Sequence, residues 1–309
     1  MRQGETASKG AWAGSPLGGV KAPSVLILPD PATRFANTAV RLEALSDGHP
    51  MAEWLRFMAR LAAAQHAAAV AMDPLAGPSH VEMEQAVEAR MPPLAAEGHP
   101  RDPAWRDGLA MLCDYFDAQA IPAPARAVMA SLRERGFDAV EFLADGFLCG
   151  GVDPADAGAA LYVAAALQVY FTRLAAALPV PSLHLLPRRG LCPCCGSTPV
   201  CGVVTASGET PGARYLYCSL CATAWNHVRA VCITCGQSRS LVLQGIEGDA
   251  GTAKAETCDD CHTYAKVLYQ AMDMTLDPFA DDLATLRLDV LVAEAGWSRH
   301  APNPFLLVG

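Results

Sequence analysis

Four Cys-x-x-Cys pairs in the C-terminal part of this chain constrain its fold more than any other feature. The pairs are Cys192/Cys195, Cys218/Cys221, Cys232/Cys235 and Cys258/Cys261. The last two pairs follow the first two at an offset of 40 residues, and 22 residues separate the pairs within each set. Gly196 and Gly236 come directly after the first pair of each set. This regularity indicates a tandem duplication of one unit.

The spacing is typical of metal ligands rather than of a secreted disulfide framework. A Cys-x-x-Cys turn, here called a knuckle, brings two thiolates to one metal ion. The residue after it often needs a positive φ, which glycine adopts without strain. Ala222 and His262 take that place in the second knuckles, where they either avoid this conformation or adopt it at some cost. Two knuckles joined by a hairpin form a tetrahedral four-cysteine site for zinc or mononuclear iron.

Equal spacing within each unit favours one metal site per unit, and we therefore predict that all eight knuckle cysteines are metal ligands. The predicted sites are Cys192, Cys195, Cys218 and Cys221, and Cys232, Cys235, Cys258 and Cys261. A crossed arrangement, in which the first and third pairs share a metal, stays open. A ribbon of ~40 residues buries too little apolar surface to fold alone, so metal binding is expected to drive its folding.

The remaining cysteines lie outside the pairs: Cys113, Cys149, Cys194 and Cys201. The first and the last are expected to pack in the interior. Cys149 is interpreted as a packed thiol, with a reactive thiol as the alternative, and Cys194 would be a ligand only in place of Cys195. His227 and His262 lie near the sites, but four thiolates already complete each ligand shell.

Length and composition indicate a folded protein of about two domains, since domains typically span about 100–200 residues. Of its 309 residues, 52% are hydrophobic. The formal net charge of −9 disfavours binding to nucleic acid or to an anionic membrane surface. The apolar runs at 25–28 and 157–171 are too short for a signal-peptide core and a membrane span. We expect a soluble cytoplasmic protein without membrane insertion.

Helical spacing of apolar residues dominates the N-terminal half. Helices are predicted over Pro50–Met72, Pro103–Gln119, Pro124–Arg135, Asp138–Leu148 and Ala155–Leu178. The last of these is apolar nearly all round and should therefore be the central helix. The pattern predicts an all-α bundle of six or seven helices.

Proline residues between Pro179 and Gly190 end the helical half, and short strand patterns follow. Strands are predicted over Pro199–Thr205, Tyr215–Cys218, Trp225–Val231, Leu241–Ile246 and Ala265–Leu268. Leucines at helical spacing then predict a helix over Asp281–Ala295, with Gly296 as its C-cap. The predicted architecture is multidomain: an α-helical bundle, two tandem rubredoxin-like or zinc-ribbon-like four-cysteine metal modules, and a C-terminal helix.

The predicted domain boundaries follow these changes from helical to strand patterns. We expect a mobile tail at residues 1–22, a helical domain at 23–186, a first ribbon at 187–230, and a second ribbon with the C-terminal helix and tail at 231–309.

Motifs of common enzyme classes are absent from the sequence, including G-x-S-x-G, the Walker loop, H-E-x-x-H and the dinucleotide fingerprint. Closed four-cysteine sites also lack the open coordination position of catalytic zinc. The chain is therefore predicted not to be an enzyme, with no catalytic residues. Acidic residues near the second unit are interpreted as a solvated face and a helix N-cap rather than a general-base cluster. They are Asp259, Asp260, Asp273, Asp277, Asp281 and Asp282.

Further motifs between residues 187 and 309 add to the cysteine pattern. They are Cys192-Pro-Cys-Cys195-Gly196, Arg214-Tyr-Leu-Tyr-Cys218-Ser-Leu-Cys221, Trp225, Cys258-Asp-Asp-Cys261 with Tyr264 and Lys266, Ala280-Asp-Asp-Leu283, and Asn303-Pro-Phe305. With them, the chain resembles the FdhE formate dehydrogenase accessory proteins, and its helical half fits that family's architecture and length. The resemblance implies an assembly or maturation factor for respiratory, molybdenum-containing formate dehydrogenase, which acts in the cytoplasm on the catalytic subunit.

The same resemblance implies rubredoxin-like iron binding, so two mononuclear irons, each with four cysteine ligands, are expected, with zinc as the alternative. The expected partner is the formate dehydrogenase catalytic subunit, bound through the helical domain and the paired modules. Tyr215, Trp225 and Tyr264 either dock on this partner or pack the ribbon cores. The competing hypotheses are a rubredoxin-like electron-transfer protein and a zinc-ribbon nucleic-acid module, and the acidic charge disfavours the second.

Overall fold

The computed structural model describes residues 22–98, 100–208, 210–301 and 303–306. The tail predicted at residues 1–22 therefore lies almost entirely outside the described residues.

Seven helices form the N-terminal half of the described chain, as predicted. They are α1 Arg34–Ser46, α2 Ala52–Ala71, α3 His80–Glu88, α4 Ala104–Asp117, α5 Ala123–Glu134, α6 Phe137–Leu148 and α7 Ala157–Ala176. α7 is buried on nearly all sides and packs against α2, α4, α5 and α6, which confirms the prediction of a central helix. α3 was not predicted, although Ser79 and Glu82 form a capping box at its start.

Among the described residues, one helix could cross a bilayer by length and hydropathy alone, namely α7 together with the short turn before it, Pro154–Ala176. Within its most apolar window, 83% is buried inside the protein. The burial of this segment is that of the central helix of the bundle.

Short strands, all but the first of them from the C-terminal half, join one sheet. They are β1 Leu26–Ile27, β2 Pro199–Val204, β3 Arg214–Cys218, β4 Ala224–Asn226, β5 Leu241–Gln244, β6 Ala253–Cys258, β7 Thr263–Tyr269 and β8 Ser298–Arg299. The order is β1-β4-β3-β2-β7-β6-β5, and β8 pairs with β7. Each cysteine unit contributes an antiparallel three-stranded meander, β2–β4 in the first and β5–β7 in the second.

The duplication seen in the sequence is preserved in the strand register. Tyr217 pairs with Ala224 in the first unit, and Thr257 pairs with Tyr264 in the second, at the same 40-residue offset. The two units meet where β2 and β7 run parallel. The two predicted ribbons are therefore halves of one sheet, a union that their separate patterns did not indicate.

Several element boundaries differ from the predictions. β4 ends at Asn226 rather than Val231, because the chain turns there into the third knuckle. The prediction omitted β6, whose Ala, Lys and Glu residues have low strand propensity. It also omitted the short strands β1 and β8. The predicted C-terminal helix is two helices, α8 Pro278–Ala284 and α9 Leu286–Glu294, which meet at Thr285.

Two apolar cores lie on opposite faces of the sheet. The larger one unites the helical bundle with the first unit and includes Trp225, while the smaller lies under α8 and α9 and includes Tyr264. The exposed fractions of Tyr215, Trp225 and Tyr264 are 6%, 0% and 2%. All three aromatic side chains pack inside the protein. The alternative in which they dock on a partner was therefore wrong.

Candidate metal centres

The knuckles come together as two clusters of four cysteines, in the sequential arrangement. One cluster is Cys192, Cys195, Cys218 and Cys221, and the other is Cys232, Cys235, Cys258 and Cys261. Within each cluster all four sulfur atoms lie within 4.8 Å of one another. The crossed arrangement is not the one the chain adopts.

The sulfur spacing fits a tetrahedral metal site. In the first cluster, the closest Sγ–Sγ distances between knuckles are 3.4 Å and 3.5 Å, and in the second both are 3.7 Å. Metal–sulfur bonds of about 2.3 Å place tetrahedral sulfur atoms about 3.8 Å apart. A disulfide bond needs about 2.05 Å, so the cysteines are not oxidised to disulfides here. The donor set and its size suit zinc or mononuclear iron.

Backbone geometry explains how each knuckle forms. Gly196 and Gly236 have φ values of +80° and +75°, as their positions in the motif predict. Ala222 and His262, in the equivalent place of the second knuckles, adopt φ values of +60° and +53°. Both residues therefore adopt the strained left-handed backbone conformation, one of the two possibilities that the sequence left open.

Hydrogen bonds around the sulfur atoms repeat in both units. The backbone N–H groups of Leu220 and Cys221 lie 3.4 Å from the Sγ of Cys218 and point their hydrogens at it. The hydroxyl oxygen of Thr223 lies 3.2 Å from the Sγ of Cys221, and that of Thr263 lies 3.1 Å from the Sγ of Cys261. Backbone N–H groups that donate to sulfur stabilise the thiolate, the form that binds metal.

Burial shifts the ionisation of the first cluster. It raises the pKa of Cys192 and Cys221 well above the usual thiol value. Burial acts in the same direction on Cys195, but hydrogen bonds from the neighbouring thiols hold its pKa well below that value. The first cluster thus holds one thiolate that accepts hydrogen bonds from the neighbouring thiols. A divalent cation can take the place of the protons in these hydrogen bonds.

The second cluster is closer to solvent. Burial raises the pKa of Cys258 to about 12. For Cys261, hydrogen bonds from Thr263 outweigh burial and lower the pKa to about 7. Cys235 is exposed, whereas all four cysteines of the first cluster are buried.

Comparison with known proteins matches almost the whole chain to one family. Residues 23–186 match the family model "FdhE, N-terminal", residues 191–229 the "FdhE, central domain", and residues 230–306 the "FdhE, C-terminal domain". The chain belongs to the FdhE family. This confirms the resemblance inferred from the cysteine motifs.

Relatives named FdhE align over most of their length with this FdhE-family chain. The FdhE homolog of Edwardsiella ictaluri is 38% identical over 285 residues, which cover 92% of each chain. The Escherichia coli FdhE is 34% identical over 286 residues, 92% of this chain and 91% of that one. The crystal structure of FdhE from Pseudomonas aeruginosa superposes with a TM-score of 0.84 at 34% identity, and covers 93% of this chain and 100% of that one.

The other four cysteines of this FdhE-family chain do not belong to either cluster. Cys113 and Cys201 are buried, as predicted, and burial raises the pKa of Cys113 to about 11. Cys149 is exposed, so the prediction that it packs was wrong. Cys194 is buried inside the first knuckle, but the cluster uses Cys195. Neither His227 nor His262 belongs to a cluster.

Acidic residues near the second unit have roles that sequence patterns did not distinguish. Asp277 caps α8 by accepting hydrogen bonds from two backbone N–H groups, as expected for an N-cap. Asp281 and Asp282 are not on a solvated face: Asp281 binds Arg41 of α1, and Asp282 binds Lys266 and Arg299. Only Asp259 and Asp260, between the last two cysteines, are exposed among the six.

Proposed function

We propose that this chain is an accessory protein for the assembly or maturation of respiratory formate dehydrogenase, and that it binds the catalytic subunit of that enzyme in the cytoplasm. Membership of the FdhE family supports the accessory role. The observation that carries the proposal is the match of three consecutive FdhE models, in order, over nearly the whole chain.

We also propose that the eight knuckle cysteines bind two mononuclear iron ions, with zinc as the alternative metal. The fit of both sulfur clusters to a tetrahedral site supports this assignment. Iron in a four-thiolate site can change oxidation state, whereas zinc cannot. In either case the thiolates of each cluster tie two knuckles and a β-hairpin into one unit.

Binding of the partner is assigned to the helical domain together with the paired four-cysteine modules. The division we propose is a helical domain at 23–186, a first ribbon at 187–230, and a second ribbon with the C-terminal helices at 231–309. On the helical side, Phe142 of α6 is 80% exposed, the largest exposed fraction among the large apolar side chains of the described residues. It is the side chain by which we would first test contact with the partner.

The experiment is co-purification with a tagged formate dehydrogenase catalytic subunit, together with formate oxidation in a strain that lacks its own FdhE. We expect the chain to bind the subunit and restore activity, and Phe142→Ser to weaken binding while the protein stays folded. Cys149→Ser, which changes an exposed cysteine outside the clusters, is the matched control and should behave as the unaltered chain. Absence of both binding and restored activity for the unaltered chain would reject the proposal.

A rubredoxin-like electron-transfer protein is the second candidate, and the exposure of Cys235 favours it. It requires that iron in the second cluster accept and release one electron reversibly. Elemental analysis and visible spectra of protein purified without oxygen distinguish the two. A reversible thiolate-to-iron absorption band that a reductase can bleach supports electron transfer, whereas two colourless zinc ions per chain exclude it.

A further inference from the structure

The two cysteine clusters have the same backbone plan but different surroundings. In the first, every cysteine is at most 1% exposed. Its first knuckle accepts hydrogen bonds from the backbone N–H groups of Leu94 and Ala96, in the segment after α3. Its second knuckle is held by α7, where the side chain of Gln168 donates to the carbonyl oxygen of Ser219. The helical bundle therefore seals both knuckles of this cluster.

The second cluster has an open side. Cys235 is exposed and Cys261 is half-buried. A cleft of about 790 Å³ lies against the knuckle that carries Cys232 and Cys235, and we call it the linker cleft. Its walls are the interdomain segment 185–191, the end of β4 with the residues that follow it, the segment 231–236, and His300. Cys232 and Cys235 both line the linker cleft, so a small molecule that enters it comes next to the second cluster.

The linker cleft is positively charged in an acidic protein. Arg188 and Arg189 line it and are exposed, and neither forms an ion pair with another described residue. No aspartate or glutamate is among the described residues that line it. The chain as a whole has a net charge of −9, so the linker cleft has the opposite charge to the protein overall.

This charge matters for ligand exchange. A divalent metal with four thiolates has a net charge of −2, which repels the anionic groups able to displace a thiolate. Guanidinium groups at the entrance offset that repulsion and raise the local concentration of anions. The four cysteines of the first cluster are less accessible, because they lie within the larger apolar core and each is at most 1% exposed.

We propose that the second four-cysteine site is an exchange site, which passes its metal to an anionic thiolate or carboxylate acceptor entering through the linker cleft, while the first site keeps its metal. The inference rests on the metal binding proposed above. In the exchange, each metal–sulfur bond that breaks is replaced by a bond from the acceptor. The metal stays divalent, and the released cysteine thiolates take up protons from water, so no oxidant or reductant is needed.

The test uses the full chain loaded with zinc, and its first measurement is the number of zinc ions per chain. Release is then followed with two chelators, EDTA as an anionic acceptor and 1,10-phenanthroline as a neutral one. We expect one of two zinc ions to leave rapidly and the other only when the protein unfolds. Iodoacetamide labelling with peptide mass spectrometry should find Cys235 and Cys261 alkylated with the fast phase, and Cys192 and Cys218 with the slow phase.

The role of the linker cleft is tested with the double variant Arg188→Ala/Arg189→Ala. Fast transfer to EDTA should slow about tenfold, because the steering charge is lost. The difference should disappear in ~1 M salt, where charges are screened, and transfer to phenanthroline should not change. The matched control Arg56→Ala/Arg126→Ala removes two exposed arginines of the helical bundle and should leave both rates unaltered.

The outcomes separate this inference from the proposal on which it rests. A chain that holds no zinc after loading would reject the metal binding itself, and a chain whose only zinc ion resists both chelators would reject the exchange site. Two zinc ions that leave at one rate, or early alkylation of the first cluster, would reject the exchange site while the metal binding stands. Equal slowing with both chelators would show that the linker cleft is not the route of the anion.

Discussion

At the scale of single residues, Gly202 on β2 makes room for the buried side chain of Arg214. A Cβ atom at this position would lie 2.9 Å from the Nε of Arg214 and 3.3 Å from Leu216. Arg214 cannot retreat freely, because it is 2% exposed and pairs with Glu256 at 2.9 Å. The absence of a side chain at Gly202 thus allows a charged pair to bridge the two units of the sheet.

Gly202→Ala should therefore lower the free energy of unfolding by about 1–3 kcal/mol, as overpacking typically does. Gly245→Ala, directly after β5, is the matched control, since a Cβ there would meet no atom within 4 Å. Urea unfolding of the metal-loaded proteins measures both. Equal midpoints for the two variants would contradict the crowding inferred at Gly202.

His227 links stability to pH. Burial, reinforced by the charge of Arg214, lowers its pKa from 6.5 to about 4. Between these values the unfolded chain binds a proton that the folded chain does not, so the free energy of unfolding falls as the pH falls. The contribution is present above pH 6.5 and decreases progressively towards pH 4, by about 3 kcal/mol in all.

His227→Gln should reduce the pH dependence of the free energy of unfolding over this range. His80→Gln, which alters an exposed histidine of α3, should leave it unchanged. Loss of metal at low pH affects all three proteins alike, so the difference between their curves isolates His227. A curve for His227→Gln that coincides with the unaltered chain would contradict the buried, neutral state of this histidine.

At the scale of elements, a buried ion network attaches the C-terminal helices to the second unit. The Nζ of Lys266 on β7 lies 3.1 Å from a carboxylate oxygen of Asp282 on α8 and 2.6 Å from one of Asp289 on α9. Arg299 on β8 pairs with both carboxylates, and the side chain of Asn303 donates to Asp282. Lys266 and Asp282 are fully buried. The motif residues that carried the family resemblance here thus form one structural cluster.

Lys266→Met should destabilise the protein by about 3–5 kcal/mol, because it leaves two buried carboxylates with one cation fewer. Lys254→Met on the neighbouring strand is the control. Its ammonium lies 5.5 Å from the ring centroid of Tyr269, a contact worth about 0.5–1 kcal/mol. Denaturant midpoints measure both variants, and a midpoint for Lys266→Met no lower than that of Lys254→Met would refute the network's role.

At the scale of the whole molecule, the first cysteine cluster joins the helical bundle to the sheet. Its cysteines are part of the larger apolar core, and α7 and the segment after α3 bind its knuckles. None of the four cysteines of the second cluster is part of that core. Loss of metal from the two sites should therefore have different consequences for the fold.

Cys218→Ser should lower hydrogen-exchange protection in α7 as well as in β2 and β3, since the bundle and the first unit share one core. The matched change Cys258→Ser should lower protection mainly in β5 and β6. Exchange followed by mass spectrometry on both proteins makes the comparison. Loss of protection confined to the sheet in Cys218→Ser would contradict the coupling.

The sequence alone determined the features that depend on short-range patterns. The knuckles, the 40-residue duplication, the helical half and its buried central helix all follow from spacing along the chain, because helix periodicity and Cys-x-x-Cys geometry are local. The family resemblance rested on the same motifs. The strand β6 and the helix α3 were missed, the first because its residues lack strand propensity and the second because its capping box went unrecognised.

Only the tertiary structure decided how these parts meet. It joined the two ribbons into one sheet through β2 and β7, buried Trp225 and Tyr264, and paired Asp282 with Lys266. It also sealed one cysteine cluster in the core and left the other beside a cationic cleft. These outcomes depend on contacts between residues far apart in the chain. The equivalent Cys-x-x-Cys motifs in the two units carry no information about such contacts. The physical difference between the two sites therefore comes from their neighbours, not from their ligands.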